Sequence, residues 1–139
     1  MNVYFACSIT GGRDDQDVYA KIVNHLLAAG HVVPTAALAR PEALLNEGAV
    51  KPAEVYQRDV NWIANCDLLV AEVSTPSHGV GYEIAYALGI RKPVFCCYHQ
   101  DVNVSKMILG NGDPNLVLYG YQNVEAALAS LSEHIERIG

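Results

Sequence analysis

Charge is scarce in this chain of 139 residues: Asp, Glu, Lys and Arg together make up 17%. Positive charge is scarcest, with nine Lys and Arg against fifteen Asp and Glu and a net charge of −6. There is no basic run, which argues against binding a nucleic-acid polymer through its phosphates. No apolar stretch approaches the roughly 18–20 residues that span a bilayer. No charged leader with an apolar core and cleavage site precedes the strand-like run Asn2-Val3-Tyr4-Phe5-Ala6-Cys7. The four cysteines, at 7, 66, 96 and 97, have no C-x-x-C spacing, and the five histidines have no metal-ligand spacing. A disulfide-stapled secreted scaffold is therefore not expected. The expectation is a reduced, soluble, cytoplasmic protein without metal or cofactor. What is abundant is apolar: 51% of residues are hydrophobic, enough for a true core in a chain of one-domain length.

Strand-like and helix-like segments alternate from end to end. Asn2 to Cys7 is β-rich. From Asp14 to Ala29, Val18, Ile22, Val23, Leu26 and Leu27 recur on one helical stripe, and Gly30 ends it. His31-Val32-Val33 predicts a second strand, shortened by Pro34. Residues 36–50 read as a short helix plus loop. Pro52 suits a first helical turn, with helix following over Ala53 to Asn65. Asp67 to Val73 is mostly apolar on both faces, as a central parallel strand should be. Helix is predicted over Gly79 to Ile90, strand over Pro93 to Tyr98, and a helical turn or two near Val104 to Leu109. A last strand, Leu116 to Tyr119, and a last helix, Asn123 to Ile138, complete the chain. Five strands separated by helices predict an α/β fold, a Rossmann-like or flavodoxin-like five-stranded parallel sheet with helices on both faces. Ligands of such sheets bind outside the C-terminal strand ends, where the strand order reverses.

That rule directs attention to two loops. Ser8-Ile9-Thr10-Gly11-Gly12-Arg13 joins the first strand to a helix and offers hydroxyls, two glycines and a cation. Glycine admits close backbone approach and the next helix supplies unpaired N–H groups, so an anion fits, as would an ordinary tight turn. Asp14, Asp15 and Asp17 compete for the same helix dipole. In the second loop, Glu83 is the only charged residue between Val73 and Ile90. It stands either as a solvated first-turn acid or as a carboxylate facing a cleft, where the helix N-terminus would help keep it ionised. An ionised, positioned carboxylate is a nucleophile for a glycosidic carbon. Asp59 falls at the apolar side or its edge in a helix with Val55, Trp62 and Ile63, either paired to Arg58 or serving a site. Tyr4 lies near the sheet's ligand edge, as a core aromatic or with its hydroxyl partnered. The cysteines read as small buried hydrophobes, Cys96 and Cys97 on opposite faces of one strand. His78 could line a pocket mouth.

Taken together, these segments resemble the nucleoside 2-deoxyribosyltransferase superfamily, and most closely its 2'-deoxynucleoside 5'-phosphate N-hydrolase branch. The resemblance covers nearly the whole chain as one domain, 1–139. It runs from Tyr4-Phe5 through Gly11-Gly12-Arg13, Asp59 before Trp62, Asp67 to Val73, Pro76-Ser77, Gly79-Val80-Gly81-Tyr82-Glu83, Ser105 and Met107-Ile108. It implies Glu83 as the nucleophile at the anomeric carbon, Asp59 as the second carboxylate, and Tyr4 as the group positioning the nucleophile. Ser8, Ile9, Thr10, Gly11, Gly12 and Arg13, with Ser77 and Gly79, would hold the 5'-phosphate, with Cys7 at the entry to that loop. Ser105 and Met107 would reach the site of a neighbouring subunit, which implies a homodimer at least.

The chain departs from the pattern in places. Thr10 stands where the hydrolases commonly carry Arg, Cys7 replaces a Gly, and Thr35-Ala36-Ala37 occupies the place of a pocket His. Ser105 stands where the transferase branch usually presents Asn, and a serine leaves room for a phosphate. The expected reaction is hydrolysis of a 2'-deoxyribonucleoside 5'-monophosphate to free base and deoxyribose 5-phosphate through a glycosyl-Glu83 intermediate. The alternative is base exchange between deoxynucleosides by the same intermediate. A non-enzymatic nucleotide-binding module is the third reading.

Overall fold

In a computed structural model of the chain, β1 (Val3–Ala6), β2 (Leu68–Glu72), β3 (Val94–His99) and β4 (Leu116–Tyr121) form a parallel sheet in that order. The register pairs Tyr4 with Leu69, Ala71 with Cys96, and Cys97 with Tyr119. The structure describes residues 1–9 and 15–139 and, for Leu44, the backbone alone.

The sheet has four strands rather than the expected five. The segment 31–33 does run beside β1, but only as one parallel bridge, Asn2 to Val32. Val3 N donates to Val32 O at 2.8 Å, and Val32 N to Met1 O at 3.0 Å. Pro34 has no N–H to continue the ladder. The next β1 amide, that of Phe5, donates instead to the Thr35 hydroxyl at 2.9 Å. A side chain has taken the place of a strand backbone. Counting that edge segment, the spatial order still reverses beside β1, so the switch point lies between β1 and β2.

Side-chain alternation along the strands divides the core in two. Val3, Phe5, Leu68, Val70, Phe95 and Cys97 face α1 (Gln16–Ala28) and α6 (Val124–Ile138). Tyr4, Ala6, Leu69, Ala71, Val94 and Cys96 face α3 (Pro52–Asn65) and α4 (His78–Gly89). All four cysteines are buried thiols outside any disulfide, and Cys96 and Cys97 lie in different cores, as the pleat requires. Helix α4 buries Val80, Ile84, Ala87 and Leu88, each large aliphatic contributing about 1.5–3 kcal/mol of burial. Pro52 occupies the first turn of α3 as its missing N–H allows. Gly30, at φ 87°, ends the run after α1 in a backbone conformation that L-residues resist.

Between α1 and α3 lie a 3₁₀ turn (Ala36–Ala39) and the six-residue α2 (Ala43–Gly48). A short α5 (Lys106–Leu109) connects β3 to β4, capped by the Ser105 hydroxyl, which accepts from Met107 N at 3.2 Å. Among the described residues no helix is long and apolar enough to cross a membrane.

Candidate active site

Tyr4, Asp59 and Glu83 converge from three elements. Alternation on β1 turns Tyr4 toward α3 and α4, while Phe5 points the other way. On α3, Asp59 shares a stripe with Ile63, four residues on and fully buried. On α4, Glu83 lies one turn after Gly79, and its Oε1 sits 3.8 Å from where a Cβ on Gly79 would stand. Asp59, Gly79 and Glu83 line one cavity of about 530 Å³, with Glu47, Tyr56 and Tyr82 on its outer wall. The Tyr56 and Tyr82 rings meet edge to face with centroids 6.2 Å apart.

The electrostatics differ from the sequence expectation. The N-terminal turn of α4 favours an anion, yet Glu83 is pushed up to about 8. Burial is the largest cause, the neighbouring charge of Asp59 the second; Tyr4 and Arg58 oppose them. Desolvation of the charged form outweighs the helix dipole here. Asp59 is raised as well, by burial first, but the guanidinium of Arg58 pulls it back through a hydrogen bond and its charge. Two carboxylates close together cannot both ionise freely, so the proton rests mainly on Glu83. The Tyr4 hydroxyl is buried and completes no hydrogen bond of standard geometry, although it lies within electrostatic reach of both acids. Burial and those two negative charges push its own ionisation far above the usual phenol range.

Arg58 links a wider set. Its Nε donates to Asp59 Oδ1 at 2.8 Å, and its Nη1 and Nη2 donate to the two Glu47 oxygens at 2.9 and 3.1 Å. Its Cζ lies 4.9 Å over the Trp62 ring. Burial works against the guanidinium's charge, but the bonds to Glu47 and Asp59 more than restore it. Of the two possibilities for Asp59, the pairing with Arg58 is present, and the same side chain lines the cavity.

The remaining expected residues lie elsewhere. Ser77 caps α4, its hydroxyl accepting from Val80 N at 3.3 Å. Ser77, His78, Ser105 and Met107 line a second cavity, of about 590 Å³, with Asn103 and Asn111. This cavity uses positions 80, 81, 84 and 85 of α4, whereas the first uses 79, 82 and 83. At 100° per residue these are opposite faces of the helix. Within one chain, Ser105 and Met107 are therefore not brought to the carboxylates, and Met107 is 85% exposed. Cys7 and Ser8 are buried at the end of β1, the Cys7 thiol donating to Leu38 O at 3.7 Å, and Ile9 is half-buried. Thr10, Gly11, Gly12 and Arg13 lie outside the described residues, as does Asp14.

Two groups escaped the sequence reading. Glu47 sits where no periodicity singles out a position. Glu72 closes β2 and is fully buried, with its ionisation pushed up to about 7, chiefly by burial. Its Oε1 accepts from the Ser74 hydroxyl, from Ser74 N at 3.1 Å and from the Tyr121 hydroxyl at 3.3 Å. The Ser74 hydroxyl in turn accepts from His99 N at 2.8 Å, so the C-terminal ends of β2, β3 and β4 are tied together. An acid inside an otherwise apolar strand was the available signal.

Residues 3–126 match the family model described as nucleoside 2-deoxyribosyltransferase. A Methanosarcina mazei protein provisionally named 2'-deoxynucleoside 5'-phosphate N-hydrolase 1 is 39% identical over 125 residues, 90% of this chain and 78% of that one. The rat 5-hydroxymethyl-dUMP N-hydrolase is 41% identical over 115 residues, covering 81% of this chain and 71% of its own. In fold, the chain is similar to the Clostridium botulinum CMP N-glycosidase BcmB, with a TM-score of 0.69 at 19% identity, over 95% of this chain and 99% of that one.

Proposed function

This chain belongs to the nucleoside 2-deoxyribosyltransferase family, and we propose that it hydrolyses the N-glycosidic bond of 2'-deoxyribonucleoside 5'-monophosphates. The observation that carries this reading is the meeting of Asp59 and Glu83, from two helices, in one cavity above the buried Tyr4 hydroxyl. Relatives named for hydrolysis of deoxynucleoside monophosphates support the substrate class.

In the proposed mechanism Glu83 attacks C1' of the bound sugar as the bond from C1' to the base breaks. The transition state is oxocarbenium-like, and a glycosyl-Glu83 ester forms. The proton that Glu83 holds in the free site leaves it for the attack and passes, through Asp59 or water, to the base, which departs with the bonding electron pair. Water then attacks C1', its proton passing to a site carboxylate, and deoxyribose 5-phosphate leaves with Glu83 restored. Tyr4 orients Glu83 through its hydroxyl, which already acts on that carboxyl in the free site. The Ser8 to Arg13 loop, Ser77 and Gly79 are proposed to hold the 5'-phosphate. Ser105 and Met107 are proposed to complete the site of a second subunit in a homodimer, which fits their exposure and their place in the other cavity of their own chain.

Chromatography of products from a panel of nucleosides and their monophosphates tests the substrate, and mass spectrometry of acid-quenched peptides locates the sugar. The expected results are free base with deoxyribose 5-phosphate and an adduct on Glu83. An adduct on Asp59 reverses the two roles. Base exchange outrunning hydrolysis when a second free base is added would make the enzyme a transferase. Release undiminished in Glu83→Gln would remove Glu83 from the chemistry.

A further inference from the structure

The structure holds one cation within contact of the carboxylate pair among the described residues, and that cation is shared unequally. Arg58 touches Asp59 directly, whereas Glu83 feels it only through space. The other end of the same guanidinium is occupied by both oxygens of Glu47. The planar face is set against Trp62. Three of the five N–H donors and one planar face are therefore engaged, and the orientation is set from α2 as well as from α3.

We propose that Arg58 is the positioning residue that decides which of the two site carboxylates carries the negative charge, and that Glu47 holds it to that task by pinning the guanidinium from α2. The proposal deepens the N-glycosidase reading and rests on it for its consequence in turnover. Its physical core, the address of one proton, can be measured without turnover.

The charged and titratable groups facing the pair are Tyr4 from β1, Glu47 from α2 and Arg58 from α3, with Asp59 and Glu83 facing each other. Three acids and one fixed cation leave a surplus of negative charge. Within the pair, Asp59 touches Arg58 and Glu83 does not, so a proton shared between the two settles on Glu83. With Asp59 ionised and Glu83 carrying the proton, the two acids enter the reaction in different states. A lysine at 58 would keep the charge but could not serve Asp59 and both Glu47 oxygens at once. A glutamine would lose the charge and most of the fork. In either case Asp59 competes for the proton, and the division of labour between the two acids blurs.

The test follows the carboxyl carbons by ¹³C NMR across pH, in parallel with the pH profile of kcat/KM. Wild type is compared with Arg58→Gln, Arg58→Lys and Glu47→Gln, and with Glu54→Gln, an exposed acid on α3 away from the cavity, as the control. In Arg58→Gln the lower of the two site midpoints should rise by about one pH unit or more. kcat/KM near neutrality should fall about tenfold, the change that corresponds to one such unit. Arg58→Lys should recover part of the midpoint and less of the rate. Glu47→Gln should lower kcat/KM in wild type but add little in the Arg58→Gln background. Unmoved midpoints in a folded Arg58→Gln protein would overturn the proposal, and so would fully independent effects of Glu47→Gln and Arg58→Gln. If Arg58→Gln fails to fold, the Arg58→Lys midpoints decide. If wild type cleaves none of the nucleotides, the functional reading fails while the titration still judges the placement of the proton.

Discussion

Replacing Glu83 by Gln should make the protein more stable as the pH rises while abolishing turnover. Glu83 moves from an ordinary value of 4.5 to about 8 in the folded chain. The folded state therefore binds more protons than the unfolded state between those two values. Stability consequently falls with rising pH across this window, and the full penalty is present above about 8. At about 1.36 kcal/mol per pH unit, the shift corresponds to a ceiling of roughly 5 kcal/mol. The cavity mouth is open to water, which screens the charge, so about 2–3 kcal/mol is the expected difference. Glutamine keeps the shape and carries no charge. Urea unfolding of wild type and Glu83→Gln at pH 5, 7 and 9 should show little difference at the lowest pH and a growing advantage for the variant above it. Glu72 titrates in the same range but is common to both proteins, so it cancels in the comparison. A difference that stays constant with pH, or one that favours wild type at pH 9, would refute the reasoning. The same ionisation should appear in catalysis, with kcat/KM rising with pH toward a midpoint near 8 if Glu83 is the nucleophile. A rate falling through that midpoint would instead assign Glu83 as the acid.

Other consequences can be checked with single substitutions. Tyr4→Phe removes a buried hydroxyl whose approach to Glu83 lacks standard hydrogen-bond geometry, so unfolding free energy should change by less than about 1 kcal/mol. Its kcat should nonetheless fall about 10- to 100-fold, the worth of one hydrogen bond to a charged group, with the pH profile displaced upward because Tyr4 lowers Glu83. A large stability loss with kcat intact would make Tyr4 a plain core aromatic. Arg91 follows α4 at φ 62°, its N–H donating to Leu88 O and that of Lys92 to Ala87 O, both at 2.9 Å. This is a Schellman end built on a residue that resists the left-handed region, so Arg91→Gly should raise stability by about 1 kcal/mol. An unchanged or lower urea midpoint would remove that account.

Much of the architecture was legible from neighbours along the chain. The apolar period of residues 18–27, Pro52 ahead of a helix and the mostly apolar run 67–73 each predict an element from local spacing, and each element is present. Glu83 also stood out locally, as the one charge in its segment. The fifth strand was misjudged because a strand is made by its partner as much as by its residues. Pro34 and the Thr35 hydroxyl ended that pairing after a single bridge. The isolation of Glu83, the helical period around Asp59 and the β-character of residues 2–7 were therefore determined by sequence alone. Only the tertiary structure decided that Asp59 and Glu83 share a cavity, that Ser77 and Ser105 line a different one, and that Glu47 and Arg58 lock together beside Asp59. These depend on how the parallel crossovers place α2, α3 and α4 over the sheet. The charge state of Glu83 depends on how much water that packing removes, a quantity no local spacing records.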